Sequence, residues 1–317
     1  MVRILYFIQL PPPINGVTII NDFVYRNERL NSGIETEVVK INYSKSINEI
    51  GKFSMSKILK HVRITFLLLT KIVKFKPTHI YFTIIPSGIG FARDLFFVLI
   101  IRLFDIKTIY HLHGQGIGKA TSSKLMRFIY EWVFKDSIII HLSPGLANKE
   151  FENLNISSAQ LYIVENGIKL FDTHLTRQCP GDEIIILFLS KLNRSKGLFF
   201  LLNTYVHLQA PGNMKLKLLL VGDIADRNVI KRINKYRAIS CNAIEIIGGK
   251  YGEEKHSILQ NADIFVHPTL NDAFPLAILE AMQAKLPIVS TYEGAIPEII
   301  INGESGFGTA TFIRTVS

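Results

Sequence analysis

Residues Asp263–Thr291 read DIFVHPTLNDAFPLAILEAMQAKLPIVST. A short apolar run, Asp263–His267, gives way to a polar loop. A helix-compatible stretch, Pro275–Lys285, follows, and a second apolar run, Pro287–Thr291, closes the segment. The two runs are apolar almost throughout, as strands covered on both faces must be. Strand, helix and strand in this order predict a βαβ unit with parallel strands. The alternation continues outward. Strands are expected at Ile184–Ser190, Lys215–Val221 and Ala243–Ile247. In the first half they are expected at Arg3–Ile8, Glu37–Ile41, His79–Ile84, Thr108–His111, Ser137–Leu142 and Leu161–Val164. Helical stretches fall between them, among them Ser54–Phe75, Lys124–Phe134 and Gly197–Leu208. The polar stretch FDTHLTRQCPGDE contains Pro180–Gly181 and precedes a new strand, so a linker is placed near 170–183. The expected fold class is α/β, with two Rossmann-like domains, 1–172 and 173–317. Their parallel sheets face a central cleft, and ligands sit at the carboxyl ends of the strands.

Bulk composition agrees. A chain of 317 residues suits two domains, and 48% hydrophobic with 20% charged residues can bury real cores. Two cysteines, Cys179 and Cys241, form no CxxC or zinc spacing, so a reducing cytoplasm is expected. MVRILYFIQLPPP reads as a buried first strand rather than a signal peptide. A membrane span needs roughly 18 apolar residues. The nearest approach, Phe91–Phe104, is interrupted by Arg93, Asp94 and Arg102. The net charge of +10 admits anionic membrane, nucleic acid or phosphorylated small molecules. Without zinc-finger or RRM-type motifs, no nucleic-acid partner is expected.

Four loops carry candidate chemistry. Strand Ile184–Ser190 runs into SKLNRSKG, placing Lys191 and Lys196 on a strand-to-helix loop. Helix N-termini favour anions, and two lysines there suit a diphosphate. A solvated basic loop has the same appearance. In the opening segment, Pro275 suits the first turn of a helix. The free N–H groups of Phe274, Leu276 and Ala277 then point into the cleft, at a second phosphate oxygen. Asp272 precedes the helix, and Glu280 lies eight residues on in an apolar stretch where a carboxylate wants a partner. Either acid can accept sugar or ribose hydroxyls; an N-cap aspartate with a half-exposed glutamate is the plainer reading. PPPING after the first strand lets the backbone approach a ligand at Gly16, although a simple βα turn explains it as well. It does not match GxGxxG. Finally, Thr108–His111 enters HGQGIG. His113 is the better functional candidate because Gly114 and Gly116 clear space around it, whereas His111 points into the sheet packing.

These segments resemble glycosyltransferase family 4, retaining enzymes of the GT-B fold. FLSKLNRSKG looks like that family's Gly-Arg-Leu…Lys-Gly segment, DAFPLAILEAM like its Glu-x7-Glu motif and VENGI (Val164–Ile168) like the end of its first domain. The resemblance covers most of the chain and is most specific in the second half. It implies that Lys191 and Lys196 bind the donor diphosphate, Glu280 holds the ribose and Asp272 faces the donor sugar. Backbone at Phe274–Leu276 contacts phosphate or sugar, His113 reaches the donor sugar, and Gly16 lets the first-domain loop close. Asp272 stands where glutamate is usual, Lys191 where arginine is usual, and Ser190 replaces a glycine. The ending GTATFIRTVS departs from the family, so the donor domain is expected to be incomplete.

The implied reaction is transfer of a sugar, with retention, from a UDP- or GDP-sugar to a hydroxyl of a lipid-linked or saccharide acceptor. Such a hexosyltransferase belongs to bacterial capsule, exopolysaccharide or lipopolysaccharide assembly. No cofactor or metal is expected, since Asp223-Ile-Ala-Asp226 lacks Asp-x-Asp spacing. Lys52–Lys76 carries Lys57, Lys60, Arg63, Lys71 and Lys74 beside Phe66–Leu69, a basic amphipathic helix compatible with docking on the inner face of an anionic membrane. An ordinary outer helix with a solvated basic face has the same pattern. Two other functions fit this sequence: a GT-B UDP-sugar 2-epimerase, and a non-catalytic nucleotide-binding homologue.

Overall fold

The apolar runs of the first half pair side by side and parallel. In the computed structural model, residues 1–43, 55–171, 183–209, 215–241 and 243–309 are described. Lys52, Ser54, Cys179, residues 172–182 of the linker expected near 170–183, and the ending from 310 lie outside the described residues. The chain forms two compact units, Met1–Asn166 and Gly167–Ser317.

The first unit runs β1 (Arg3–Ile8), α1 (Gly16–Arg26), β2 (Glu35–Lys40), α2 (Met55–Phe75), β3 (His79–Phe82), α3 (Gly88–Leu103), β4 (Lys107–His111), α4 (Ile117–Ala120), α5 (Lys124–Phe134), β5 (Ile138–His141), α6 (Pro144–Phe151), β6 (Gln160–Ile163). The sheet order is β2-β1-β3-β4-β5-β6, all parallel. The first crossover runs one way along the sheet and the later ones the other. Right-handed crossovers therefore put α1 on one face and α2, α3, α5 and α6 on the other. Packing agrees: Ile64, Leu68, Phe97, Tyr130 and Phe151 share one core with Phe7 and Phe82. Val24 and Tyr25 pack with Tyr6 and Tyr81 on the opposite face.

The second unit runs β7 (Glu183–Leu189), α7 (Leu198–Gln209), β8 (Lys215–Val221), α8 (Arg227–Ile239), β9 (Ile244–Gly248), α9 (Gly252–Gln260), β10 (Ile264–His267), α10 (Leu276–Gln283), β11 (Ile288–Thr291), α11 (Ile296–Ile299), β12 (Phe307–Thr309). Its order is β12-β11-β10-β7-β8-β9, again parallel. Helices α7 and α8 cover one face, and α9, α10 and α11 the other. The direction of winding reverses between β7 and β10, so the loops after these two neighbours open at a topological switch point.

The expected α/β class with two parallel sheets stands. The strand expected to reach Ile84 ends at Phe82, because the Ile84 N–H turns back to the Phe82 carbonyl (3.1 Å). Pro275 is the N-cap of α10 rather than a first-turn residue. Strand β12, three residues in a glycine-flanked segment with no apolar run, was not expected.

Candidate functional site

The loops after β7 and β10 are sewn together by backbone. After β7, Asn193 caps a 3-10 turn, Arg194–Lys196, by accepting from the Lys196 N–H (2.9 Å). Gly197 then turns the chain into α7 with φ +74°, and a Cβ there would sit 1.7 Å from the Pro268 carbonyl oxygen. Only glycine tolerates both the dihedral and the contact. The Leu270 N–H donates to the Ser195 carbonyl (2.8 Å), and the Thr269 hydroxyl donates to the same oxygen (3.4 Å).

This stitching aims side chains as well. Lys196 Nζ donates to the Asn271 carbonyl (3.0 Å) and pairs with Asp272 Oδ2 at 2.5 Å. His267, buried at the end of β10, places Nε2 3.3 Å from the same oxygen. Burial pushes the Asp272 carboxyl up. The His267 hydrogen bond and the Lys196 charge outweigh that and hold it at about 2. Asp272 is therefore a carboxylate at any physiological pH. Lys191 lies half-buried in the same loop as Lys196.

One residue past Asp272 the chain is pinned again, by the Ala295 N–H donating to the Ala273 carbonyl (2.8 Å). Ala273 and Phe274 are buried, and α10 starts at Leu276. The first N–H groups of α10 have no intrahelical acceptor and carry the positive end of its dipole. Glu280, further along α10, pairs through Oε1 with Lys255 Nζ of α9 at 2.5 Å, both largely buried. The carboxylate in an apolar stretch does have a partner.

Gly16 and His113 belong to the first unit. Gly16 opens α1 behind the Asn15–Thr18 capping box. The loop before it is held by Asn42, whose amide donates to the carbonyls of Leu10 (2.5 Å) and Pro12 (2.7 Å). His113 follows β4 and packs its ring 3.9 Å from that of His111. Burial, with His141 adding to it, holds the His113 imidazole down at about 3, so it is neutral and offers one donor and one acceptor nitrogen. His111 is buried against the Tyr81 hydroxyl, as sheet packing requires.

The glycines after His113 also answer to a neighbouring loop. A Cβ at Gly114 would meet Pro86 at 2.8 Å, and one at Gly116 would meet Ser87 at 2.5 Å. They make room for the β3–α3 loop. The amides that follow are also taken, since Glu150 Oε2 accepts from the N–H groups of Gly116 (2.7 Å) and Ile117 (2.5 Å). Among the described residues no group of three or more His, Cys, Asp or Glu side chains is placed to hold a metal ion.

Sequence reasoning missed His267 and Lys255. His267 had a signal, a histidine ending a strand five residues before Asp272. Lys255 had none, for it arrives from a separate helix.

Residues 176–312 match the family model for glycosyl transferases group 1. The match runs five residues into the ending GTATFIRTVS that sequence reading set apart from the family, from 308 to 312. A Salmonella typhimurium protein named as a colanic acid biosynthesis glycosyltransferase, WcaL, is 29% identical over 212 residues, 64% of this chain and 50% of that one. The lipopolysaccharide 1,2-N-acetylglucosaminetransferase of the same organism is 23% identical over 53% of this chain and 48% of its own. The chain spans about half the length of these curated relatives. Among solved structures, Anabaena HepE in complex with UDP and glucose superposes with a TM-score of 0.67 at 16% identity, covering 98% of this chain and 86% of that one. The likeness is one of fold, two α/β units each built on a parallel sheet.

Proposed function

We propose that this protein transfers a hexose from a nucleotide diphosphate sugar to an acceptor hydroxyl with retention, in bacterial surface polysaccharide assembly. The observation that carries the reading is the Lys196–Asp272 pair, fixed at the switch point by stitched loops and neighboured by the start of α10. A diphosphate fits that place: it exchanges the Asp272 oxygen at Lys196 for a phosphate oxygen, with Lys191 and the N–H groups of Phe274 and Leu276 sharing the charge. Asp272, released from Lys196, accepts a hydroxyl of the donor sugar. Glu280, paired with Lys255, accepts from the ribose. His113, held neutral, bonds the sugar, and the Gly16 loop contributes backbone. Protein cations and helix N-termini then stabilise the departing diphosphate without a metal.

Support for the class comes from the relatives, named for colanic acid and lipopolysaccharide synthesis. Support for UDP comes from HepE, solved with UDP and glucose. The acceptor is a lipid-linked or saccharide hydroxyl, and the working position is peripheral, at the inner face of a membrane.

Calorimetry with UDP and with GDP, metal-free, tests the donor site. One nucleotide should bind, and Lys196→Ala and Glu280→Gln should each weaken it by at least about tenfold, the loss expected for a charge-assisted bond. Binding that survives both substitutions unchanged in folded protein would place the nucleotide elsewhere. The anomeric configuration of the product, read by NMR, decides retention.

A further inference from the structure

Helices α2, α3 and α5 lie side by side on one face of the first sheet. His61 of α2 packs on Phe96 of α3 with ring centroids 5.0 Å apart, and Phe91 of α3 stacks on Tyr130 of α5 at 4.3 Å. Their inner faces fill the core. Nothing among the described residues covers their outer faces, which should then be polar, and they are not.

On α3 the outward residues are Ile89, Ala92, Phe96, Leu99 and Leu103, spaced 3, 4, 3 and 4 apart. That spacing keeps one stripe on one side of a helix. It carries no polar residue, and Ile89 and Leu103 are 88% and 83% exposed. On α2, Leu59, Val62, Phe66 and Val73 form a matching exposed stripe. The solvated basic face considered for α2 is therefore not what the helix presents at its centre; Arg63 and Lys74 flank an apolar band. On α5, Phe128 is 67% exposed beside Leu125, with Lys124 and Arg127 next to them.

Charge is concentrated in the stretch of chain that carries these three helices. Between Met55 and Lys135 the sequence has thirteen Lys and Arg against three Asp and Glu. The difference, ten, equals the net charge of the whole chain, +10. An apolar centre edged by cations matches the headgroup and acyl boundary of an anionic bilayer. A second copy of this chain would bring the same positive edge against its own. Nucleic acid would use the cations but leave Leu99, Leu103 and Phe66 against water. No helix among the described residues is long and apolar enough to cross a membrane, so contact would be interfacial.

We infer that the outer face of α2, α3 and α5 is a monotopic docking surface for an anionic lipid bilayer, with Phe66, Phe96, Leu99 and Leu103 inserted and Arg63, Lys74, Lys124 and Arg127 at the headgroups. Its purpose rests on the lipid-linked acceptor proposed above, but the docking is read without donor or acceptor. The full chain is floated with phosphatidylcholine vesicles, with and without phosphatidylglycerol. It should float with the anionic vesicles, less so as salt rises. A Phe66→Ser/Leu99→Ser/Leu103→Ser variant should lose at least about tenfold in partition. An Arg63→Glu/Lys74→Glu variant should lose binding and its salt dependence. UDP calorimetry on both variants stays as in the wild type, which separates failure here from failure of the donor site. The inference is overturned by no flotation with either vesicle, or by flotation unchanged in the serine variant. It is also overturned by sedimentation showing a wild-type dimer that the serine variant converts to monomer.

Discussion

Asp272 is held by two partners of different origin, Lys196 from the neighbouring loop and His267 from the strand it follows. Its carboxyl sits at about 2 in the folded chain, below an ordinary aspartate near 4. A depressed carboxyl stabilises the fold above the unfolded value and loses that contribution as pH falls toward the folded one. The full contribution is about 2 kcal/mol near neutrality. Asp272→Asn should therefore unfold at lower urea than the wild type at pH 7, and about half of the gap should close between pH 5 and pH 3. A gap that stays constant over that range would show that packing, not ionisation, is what the substitution removes. At this scale the sequence exposed the acid and its lysine, because both sit in spaced motifs. It hid His267 as a partner, since a histidine at the end of a strand has many uses, and it hid Lys255, since no local pattern links α9 to α10.

At the scale of elements, what fixes the site is contact between loops rather than their composition. The turn into α7 and the loop after β10 meet at Gly197 and Pro268, where a Cβ would come within 1.7 Å of a carbonyl oxygen. Gly197→Ala must part the two loops and with them Lys196 and Asp272. Gly248 separates the causes: its φ is +83°, close to that of Gly197 at +74°, but nothing lies within 4 Å of a Cβ built on it. Gly248→Ala should cost the left-handed strain alone, about 1 kcal/mol. Gly197→Ala should cost at least about twice that and weaken UDP binding, which Gly248→Ala leaves intact. Equal losses in thermal unfolding would mean that the loop contact carries no weight. The strands and long helices were readable because apolar runs and helical periodicity report burial directly. The role of HGQGIG was not, because its glycines answer to Pro86, Ser87 and Glu150, which come from elsewhere in the fold.

For the whole molecule, the two units carry different chemistry. The first concentrates the positive charge and an exposed apolar layer, and the second gathers the paired acids and lysines at its switch point. The sequence announced the second more clearly than the first, because paired motifs survive as local strings. An exposed stripe such as Ile89 to Leu103 reads as core until its outer neighbours are known to be absent among the described residues. Two ligands should therefore leave separate footprints on one intact chain in hydrogen exchange. UDP at about 100 times its Kd adds about 2.7 kcal/mol to the folded state it binds. Amides whose exchange requires opening of the second unit should slow accordingly, foremost those after β7 and β10, around Ser195–Gly197 and Asn271–Ala277. Anionic vesicles should instead slow amides at the outer turns of α2, α3 and α5, and leave the second unit's loops as they were. Protection of α3 by UDP in the absence of lipid, or of Asn271–Ala277 by vesicles in the absence of UDP, would break the assignment of one chemistry to each unit.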